Sequence, residues 1–578
     1  MSSQLADERA TTGTTAPPAP PRRRRLTPRQ RNAIVFTVIA LAFLIPLRGL
    51  LRSQGPPMEE GFMLVFPERV LNGDLPNRDF LHLYGPGSLW FLAGVFKVFG
   101  TSLTAERLVA LLQQIGVVLG IYALARHWGR TVALPCALIS LVIIVPPIGL
   151  TALGWVGGVA LGLLGLAAAL ESRRVLTVPN ARRAGRFALL GGVLLGFALL
   201  YRLDLVLAVG LAMIVMLRGL DRSLAKRLLG GLAIGVSPYL IHLATAGVGD
   251  TVSGMILDPV IYLRGGRRLP VPPPWDHLDG FLQRAGNIQQ LSWPIPSFST
   301  SQQLTIWFVF LLGSVAFLVA VAFWRLHQDR SSFPARVLAT GAVFSLGMLP
   351  QAIQRVDSAH FAWVSCVPIA LLPLAISEVL KAKKPRLHIR ARNVLAGGSV
   401  LIFLLAVLPF FTARTYTDYS LQSLGIHRIA YKIEHKGRVF YYGRPEAAKA
   451  ANELLPVADR ISKPGDRLFV GPTDMRKTPY SDAYLYYMLP DLDPATYYIE
   501  MDPGVANDKN SRLADDLRSA DIVILSSVWN DWDEPNDARK FGPNLPNEIL
   551  KRDFCLVQKF GRGGVYELYR RCDRSAQR

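Results

Sequence analysis

Residues 59–87 read EEGFMLVFPERVLNGDLPNRDFLHLYGPG. The stretch follows the first strongly apolar block, 33–51, and so sets two adjacent carboxylates, Glu59 and Glu60, at a bilayer surface. Ionisable groups at membrane depth are costly to desolvate, so they come with partners or with a task. A short amphipathic run follows, then a turn carrying Arg78, Asp79 and His82, then a Gly85-Pro86-Gly87 break. Neighbouring residues point apart on a helix, so at most one of the two glutamates is expected to face a site directly.

The rest of the chain supports a membrane setting. Of 578 residues, 51% are hydrophobic and 18% charged, and mean hydropathy is +0.28. The apolar residues fall in blocks of membrane-helix length. Eleven spans are expected, at 33–51, 105–125, 131–150, 152–170, 187–201, 204–218, 228–246, 304–324, 336–353, 361–380 and 393–413. The apolar block 88–99 is too short to span and is expected to lie along the membrane or re-enter it. Residues 1–31 form a basic, Pro-rich tail expected to be disordered and cytoplasmic. The first span is long enough to remain as an anchor.

A net charge of +22 raises nucleic acid as a partner, but its placement argues against that. Residues 414–578 hold 25 Lys and Arg against 24 Asp and Glu. The excess lies in the membrane half, at alternate loops, as the positive-inside rule requires. With the tail inside, loops 52–104 and 247–303 and the region 414–578 fall outside the plasma membrane. The fold class is therefore a polytopic α-helical membrane protein with a C-terminal extracytoplasmic α/β domain. Its transmembrane part spans 32–413 and its soluble part 414–578. Loop 247–303, with LRGGRRLPVPPPW at 263–275, reads as irregular and mobile.

In the soluble region, Arg467–Val470 and Ile522–Leu525 read as buried strands and Ser511–Ser519 as helical. A hairpin is expected to turn at Gly561-Arg562-Gly563-Gly564. Cys555 and Cys572 flank it, and an oxidising compartment allows them to pair. Cys136 and Cys366 read as packing residues inside spans.

More charged groups are expected at the outer ends of spans: Arg202 and Asp204 between two short spans, and Arg355, Asp357 and His360 in QRVDSAHFAW. Each has a plain reading as a polar turn or a local ion pair, and for Asp204 the ion pair is the better one. Together they describe a pocket of carboxylates and guanidiniums. That set suits a reaction in which a carboxylate takes a hydroxyl proton and an Arg holds a departing phosphate. The Arg355, Asp357 and His360 trio could instead ligate a metal. The chain has no P-loop, HExxH or CxxC pattern.

Residues 59–108, EEGFMLVFPERVLNGDLPNRDFLHLYGPGSLWFLAGVFKVFGTSLTAERL, resemble the membrane-embedded glycosyltransferases of the GT-C superfamily. The similarity is to the branch of protein O-mannosyltransferases and lipid A aminoarabinose transferases. It implies a transferase that moves a sugar from a polyprenyl-phosphate donor to a glycan, lipid or protein hydroxyl, in one inverting displacement outside the membrane. It implies Glu59 as general base or metal-contacting acid, with Glu60 the acid after it; because Glu stands where the family has Asp, either of the two could be the base, and a divalent cation held by them is left open. The family's Lys before the Pro-rich turn is replaced by Tyr84-Gly85-Pro86. Arg78, Arg202 or Arg355 would then hold the phosphate, with Asp79, His82, Tyr84, Asp204, Asp357 and His360 around the substrate. A lipid or glycan transporter using the same cavity without bond cleavage is the alternative, and an inactive scaffold is a third reading.

Overall fold

The computed structural model describes residues 27–55, 58–176, 181–280, 283 and 293–572. The expected tail at 1–31 falls almost wholly outside these residues, as does part of loop 247–303. Each of the eleven expected spans returns as a helix. Among the described residues, nine helices are long and apolar enough to cross a bilayer. A tenth span is the pair Ser358–Ser365 and Pro368–Lys383, bent by 42°. The eleventh, expected at 204–218, is a helix of only 12 residues, Val206–Leu217. The chain is a multi-pass membrane protein.

Two breaks in these helices decide the architecture. The helix Ala181–Tyr201 stops at Arg202, whose backbone is extended, before a short turn leads into Val206–Leu217. The helix Phe333–Gln354 stops at Arg355, again extended, and Asp357 caps the next helix by accepting from the His360 N–H at 2.9 Å. Broken backbone at membrane depth is tolerated where it is buried in protein or lines a cavity. Both breaks lie at the end of the bundle where the first helix, Pro28–Leu50, also ends.

The amphipathic run 59–71 forms the helix Glu59–Leu71 at that end, and Gly87–Phe99 forms a second short helix of 13 residues. Glu60 fixes the start of the first of these. Its carboxylate accepts from Arg107 Nε at 2.7 Å and from the Gly55 N–H at 3.1 Å. Arg107 also donates to the carbonyls of Leu50 and Ser53, at 3.3 and 2.6 Å. One buried guanidinium thus joins the end of the first span to the short helix and to the helix Leu103–Ala125. Gly61 meets the soluble part so closely that a Cβ there would sit 2.7 Å from the Tyr484 amide nitrogen.

Loop 247–303 is corrected in part. Residues 248–267 are helical, with a wide π-type stretch at Ser253–Tyr262 containing Pro259. The Gly and Pro residues had suggested an irregular path, but the run VSGMILDPVIY between them is apolar enough to pack as a helix.

After the helix Thr415–Ser423 come the strands β1 (Tyr431–His435) and β2 (Arg438–Tyr442), an antiparallel pair. The main sheet holds β3 (Arg467–Pro472), β4 (Asp493–Pro494), β5 (Ile522–Ser526), β6 (Phe554–Phe560) and β7 (Tyr566–Arg571), in the order β4-β3-β5-β7-β6. β3 runs parallel to β4 and β5, and β7 is antiparallel to β5 and β6. β3 from Leu468 onward and β5 are buried throughout and mostly apolar, because helices cover the sheet. The helix Pro445–Ile461 supplies buried alanines and leucines for this purpose. The β6–β7 turn uses Gly561, Gly563 and Gly564 at φ of 75–76°, a region that favours glycine. Cys555 and Cys572 form a disulfide beside this hairpin.

Removing one partner of a buried ion pair leaves an uncompensated charge and costs about 3–5 kcal/mol. Arg107→Met is therefore expected to lower Tm markedly in detergent. Thermal unfolding of the purified protein checks this, and an unchanged Tm would show that the pair does not hold the helix start.

Candidate active site

A cavity lies where the two helix breaks, the Glu59–Leu71 helix and the soluble domain meet. Glu59 and Phe62 line one side. Arg202 and Asp204 come from the first break, and Gln351, Gln354, Arg355 and His360 from around the second. The 248–267 segment gives Met255, Pro259, Leu263 and Arg267, and the soluble domain gives Tyr480 and Glu500.

Glu59 is 7% exposed, and its Oε2 is buried with no hydrogen-bond partner among the described residues. Burial pushes its carboxyl up to about 7; Asp357 adds to the rise, and its own backbone, Arg267 and Arg355 oppose it. Such a group gains and loses its proton near neutral pH, as a general base does.

Arg202 is 5% exposed. Asp204 takes its Nε at 2.9 Å and also pairs with Nη2, while Nη1 is buried without a partner among the described residues. The guanidinium carbon lies 4.2 Å from the Tyr84 ring centre, with Trp155 and Trp363 at 5.9 and 5.6 Å. An aromatic surround of this kind suits a weakly hydrated guanidinium. Gly85 makes the arrangement sterically feasible, because a Cβ there would fall 2.0 Å from the Leu200 carbonyl oxygen.

Arg355 is more fully used. It donates to Asp357 at 2.9 Å, to both Glu534 oxygens at 3.1 and 2.5 Å, and to the Arg267 carbonyl at 2.5 Å. Asp357 also holds His360 through Nδ1 at 2.9 Å, while the His360 ring lies tilted 5.0 Å from Trp155. Arg267 pairs with Asp502 and, at 3.4 Å, with Glu500; its Nε is buried and unpartnered among the described residues. Burial holds the Glu500 carboxyl well above the usual carboxylate range, with the nearby Asp502 adding to it and Arg267 opposing.

The sequence-expected residues therefore divide. Glu59, Tyr84, Arg202, Asp204, Arg355 and His360 share the cavity, and Asp357 stands behind two of them. Glu60 faces Arg107 instead, so the two glutamates do not point at one ligand. Among the described residues no three His, Cys, Asp or Glu side chains gather as metal ligands. Arg78 does not line the cavity; it is half-exposed and bonded to Asp79 at 2.9 Å. Asp79 also accepts from the Leu75 N–H at 2.8 Å, so this pair shapes a turn. His82 is buried against Phe66 and Tyr84, and burial pushes its imidazole down to about 3, leaving it neutral. Arg267, Glu500, Asp502 and Glu534 were not singled out from sequence. The only local hints are an LRGGRR run and acidic residues beside turns, which are common on soluble surfaces.

No protein-family model and no curated protein sequence matches the chain. Solved structures do show a likeness. The chain is similar to ArnT from Cupriavidus metallidurans bound to undecaprenyl phosphate, at 14% identity, over 93% of this chain and 98% of that one, with a TM-score of 0.46. The apo state of that protein gives 13% identity and a TM-score of 0.48 over the same shares. The Archaeoglobus fulgidus oligosaccharyltransferase in its apo form gives 14% identity and a TM-score of 0.45, over 92% of this chain and 74% of that one. No residue of this chain takes its role from those proteins.

Infrared titration of the carboxyl stretch is expected to show one group with a midpoint near pH 7 that is missing from Glu59→Gln. A difference spectrum flat between pH 6 and 8 would remove the poised carboxyl.

Proposed function

We propose that this protein is a membrane glycosyltransferase that takes a sugar from a polyprenyl-phosphate donor and places it on an acceptor hydroxyl. One observation carries the reading: an unpartnered oxygen of Glu59 and an unpartnered N–H-bearing nitrogen of Arg202 are buried in the lining of one cavity. A base and an anion-holding cation are the two groups that a displacement from a lipid phosphate needs. The cavity adjoins the ends of apolar helices, where a lipid-borne phosphate would sit. The resemblance of residues 59–108 to GT-C enzymes agrees with this placement.

In the reaction, Glu59 accepts the proton of the acceptor hydroxyl as its oxygen bonds to the anomeric carbon. The bond from that carbon to the phosphate oxygen breaks in the same step. Its electron pair leaves with the phosphate, where Arg202 Nη1 donates to the growing negative charge. Attack opposite to the leaving group inverts the anomeric centre. Arg355 is held by two carboxylates and contributes positive potential without offering its whole guanidinium to the phosphate. Glu60 acts through Arg107 as a positioning residue.

The topology follows from this reading and from the basic loops. The N-terminus is cytoplasmic, and the cavity, loops 52–104 and 247–303 and the domain at 414–578 lie outside the plasma membrane. The acceptor is a cell-envelope glycan, lipid or protein.

Glu59→Gln is expected to lower transfer by about 10²–10⁴-fold, the range for loss of a general base, with Tm unchanged. Because the base must be unprotonated, kcat/KM should rise as pH increases toward about 7 and level off above it. Product formation from radiolabelled polyprenyl-phosphate sugars by membranes checks both, and full activity of Glu59→Gln would end the assignment.

Arg202→Gln removes a charged hydrogen bond worth about 1.5–3 kcal/mol. It is expected to weaken binding of polyprenyl phosphate about tenfold or more. Unchanged affinity by microscale thermophoresis would place the phosphate elsewhere.

A further inference from the structure

The soluble domain contributes a carboxyl to the cavity that the transfer step does not use. Glu500 is 6% exposed and lines the cavity with Glu59 and Arg267. Its Oε2 lies 3.4 Å from Arg267 Nη2, and its Oε1 is buried without a partner among the described residues. Asp502, two residues on, makes the closer contact with the same guanidinium, so Glu500 is not needed to balance that charge.

Backbone conformation gives a second, independent observation. Tyr480, in the lining, sits at φ 98°, and Met501, between the two carboxyls and buried in the domain's core, sits at φ 55°. A Cβ makes this region unfavourable, and such residues gather where a site holds its groups in place. Both lie in the soluble domain. A buried, unsatisfied carboxyl oxygen costs free energy unless a ligand completes it.

The geometry points to Glu500 as the residue that hydrogen-bonds the hydroxyls of the transferred sugar, making the soluble domain a specificity element of the cavity and not only a cover. This rests on the proposed donor. The lipid phosphate is met by Arg202 from the membrane part, whereas a sugar hydroxyl is met by Glu500 from the soluble part. A carboxyl that accepts or donates a hydrogen bond to a hydroxyl discriminates against analogues that lack it, because it is then left unpaired.

The test uses the full-length protein in detergent, as wild type, Glu500→Gln and Glu500→Ala. Its probes are bare undecaprenyl phosphate and polyprenyl phosphates carrying mannose, glucose, galactose or arabinofuranose. Wild type is expected to bind one sugar-bearing lipid more tightly than the bare lipid. In Glu500→Ala that advantage should fall about tenfold or more, with bare-lipid affinity within twofold of wild type, and Glu500→Gln should fall between the two. An unchanged advantage in both variants overturns the inference, as does equal loss for bare and sugar-bearing lipids with a lowered Tm, which would make Glu500 a counter-ion of Arg267. Wild type that binds neither kind of lipid overturns the proposed donor, and this inference with it.

Discussion

The buried contact between Glu60 and Arg107 is the constraint on which the site depends. Both side chains are at most 1% exposed. Arg107 spends its donors on a carboxylate and on the last carbonyls of the first span. Because Glu60 is committed to that interior, the helix that begins at Glu59 has one rotation available to it. Glu59 is then carried into the cavity with an oxygen that has no partner among the described residues. Two adjacent acids thus have separate surroundings, one a buried ion pair and the other the cavity, set by about 100° of helical rotation.

A second constraint is charge balance in an apolar setting. Three arginines reach the cavity, and each is accompanied by acids: Arg202 by Asp204, Arg267 by Asp502 and Glu500, Arg355 by Asp357 and Glu534. Desolvating a guanidinium is tolerable only with such company. The pairing is uneven, however. Arg355 is nearly saturated, whereas Arg202 keeps a nitrogen without a partner among the described residues. The uneven use of similar side chains leaves Arg202, and not Arg355, with a donor to spare.

Much of this was legible in the sequence, for local reasons. Hydropathy marks the ten helical spans long enough to cross and the shorter helix Val206–Leu217 among the described residues, and the Gly561–Gly564 turn announces itself. Arg202 and Arg355 stood out because a cation between apolar blocks interrupts a helix, and the interruption is what brings them to the cavity. Arg78 stood out for the same reason but is a half-exposed partner of its own neighbour Asp79. Charge density in a turn does not distinguish the two cases. The acids of the soluble domain were illegible for another reason. Glu534 meets Arg355 across 179 positions and Asp502 meets Arg267 across 235, so only tertiary packing reveals the pairs. The helical 248–267 segment was misread because its flanking glycines and prolines outweighed the apolar run between them.

The acids that the soluble domain sends downward also govern modularity. Glu534 and Asp502 clasp guanidiniums rooted in the membrane part, and Arg438 returns the gesture by gripping Glu68 at 2.6 Å. A foreign C-terminal domain grafted onto these helices would have to reproduce both acids, or strand two cations in a greasy hollow. The lid and the vessel are therefore a matched set, and the repertoire of such chimeras is narrow.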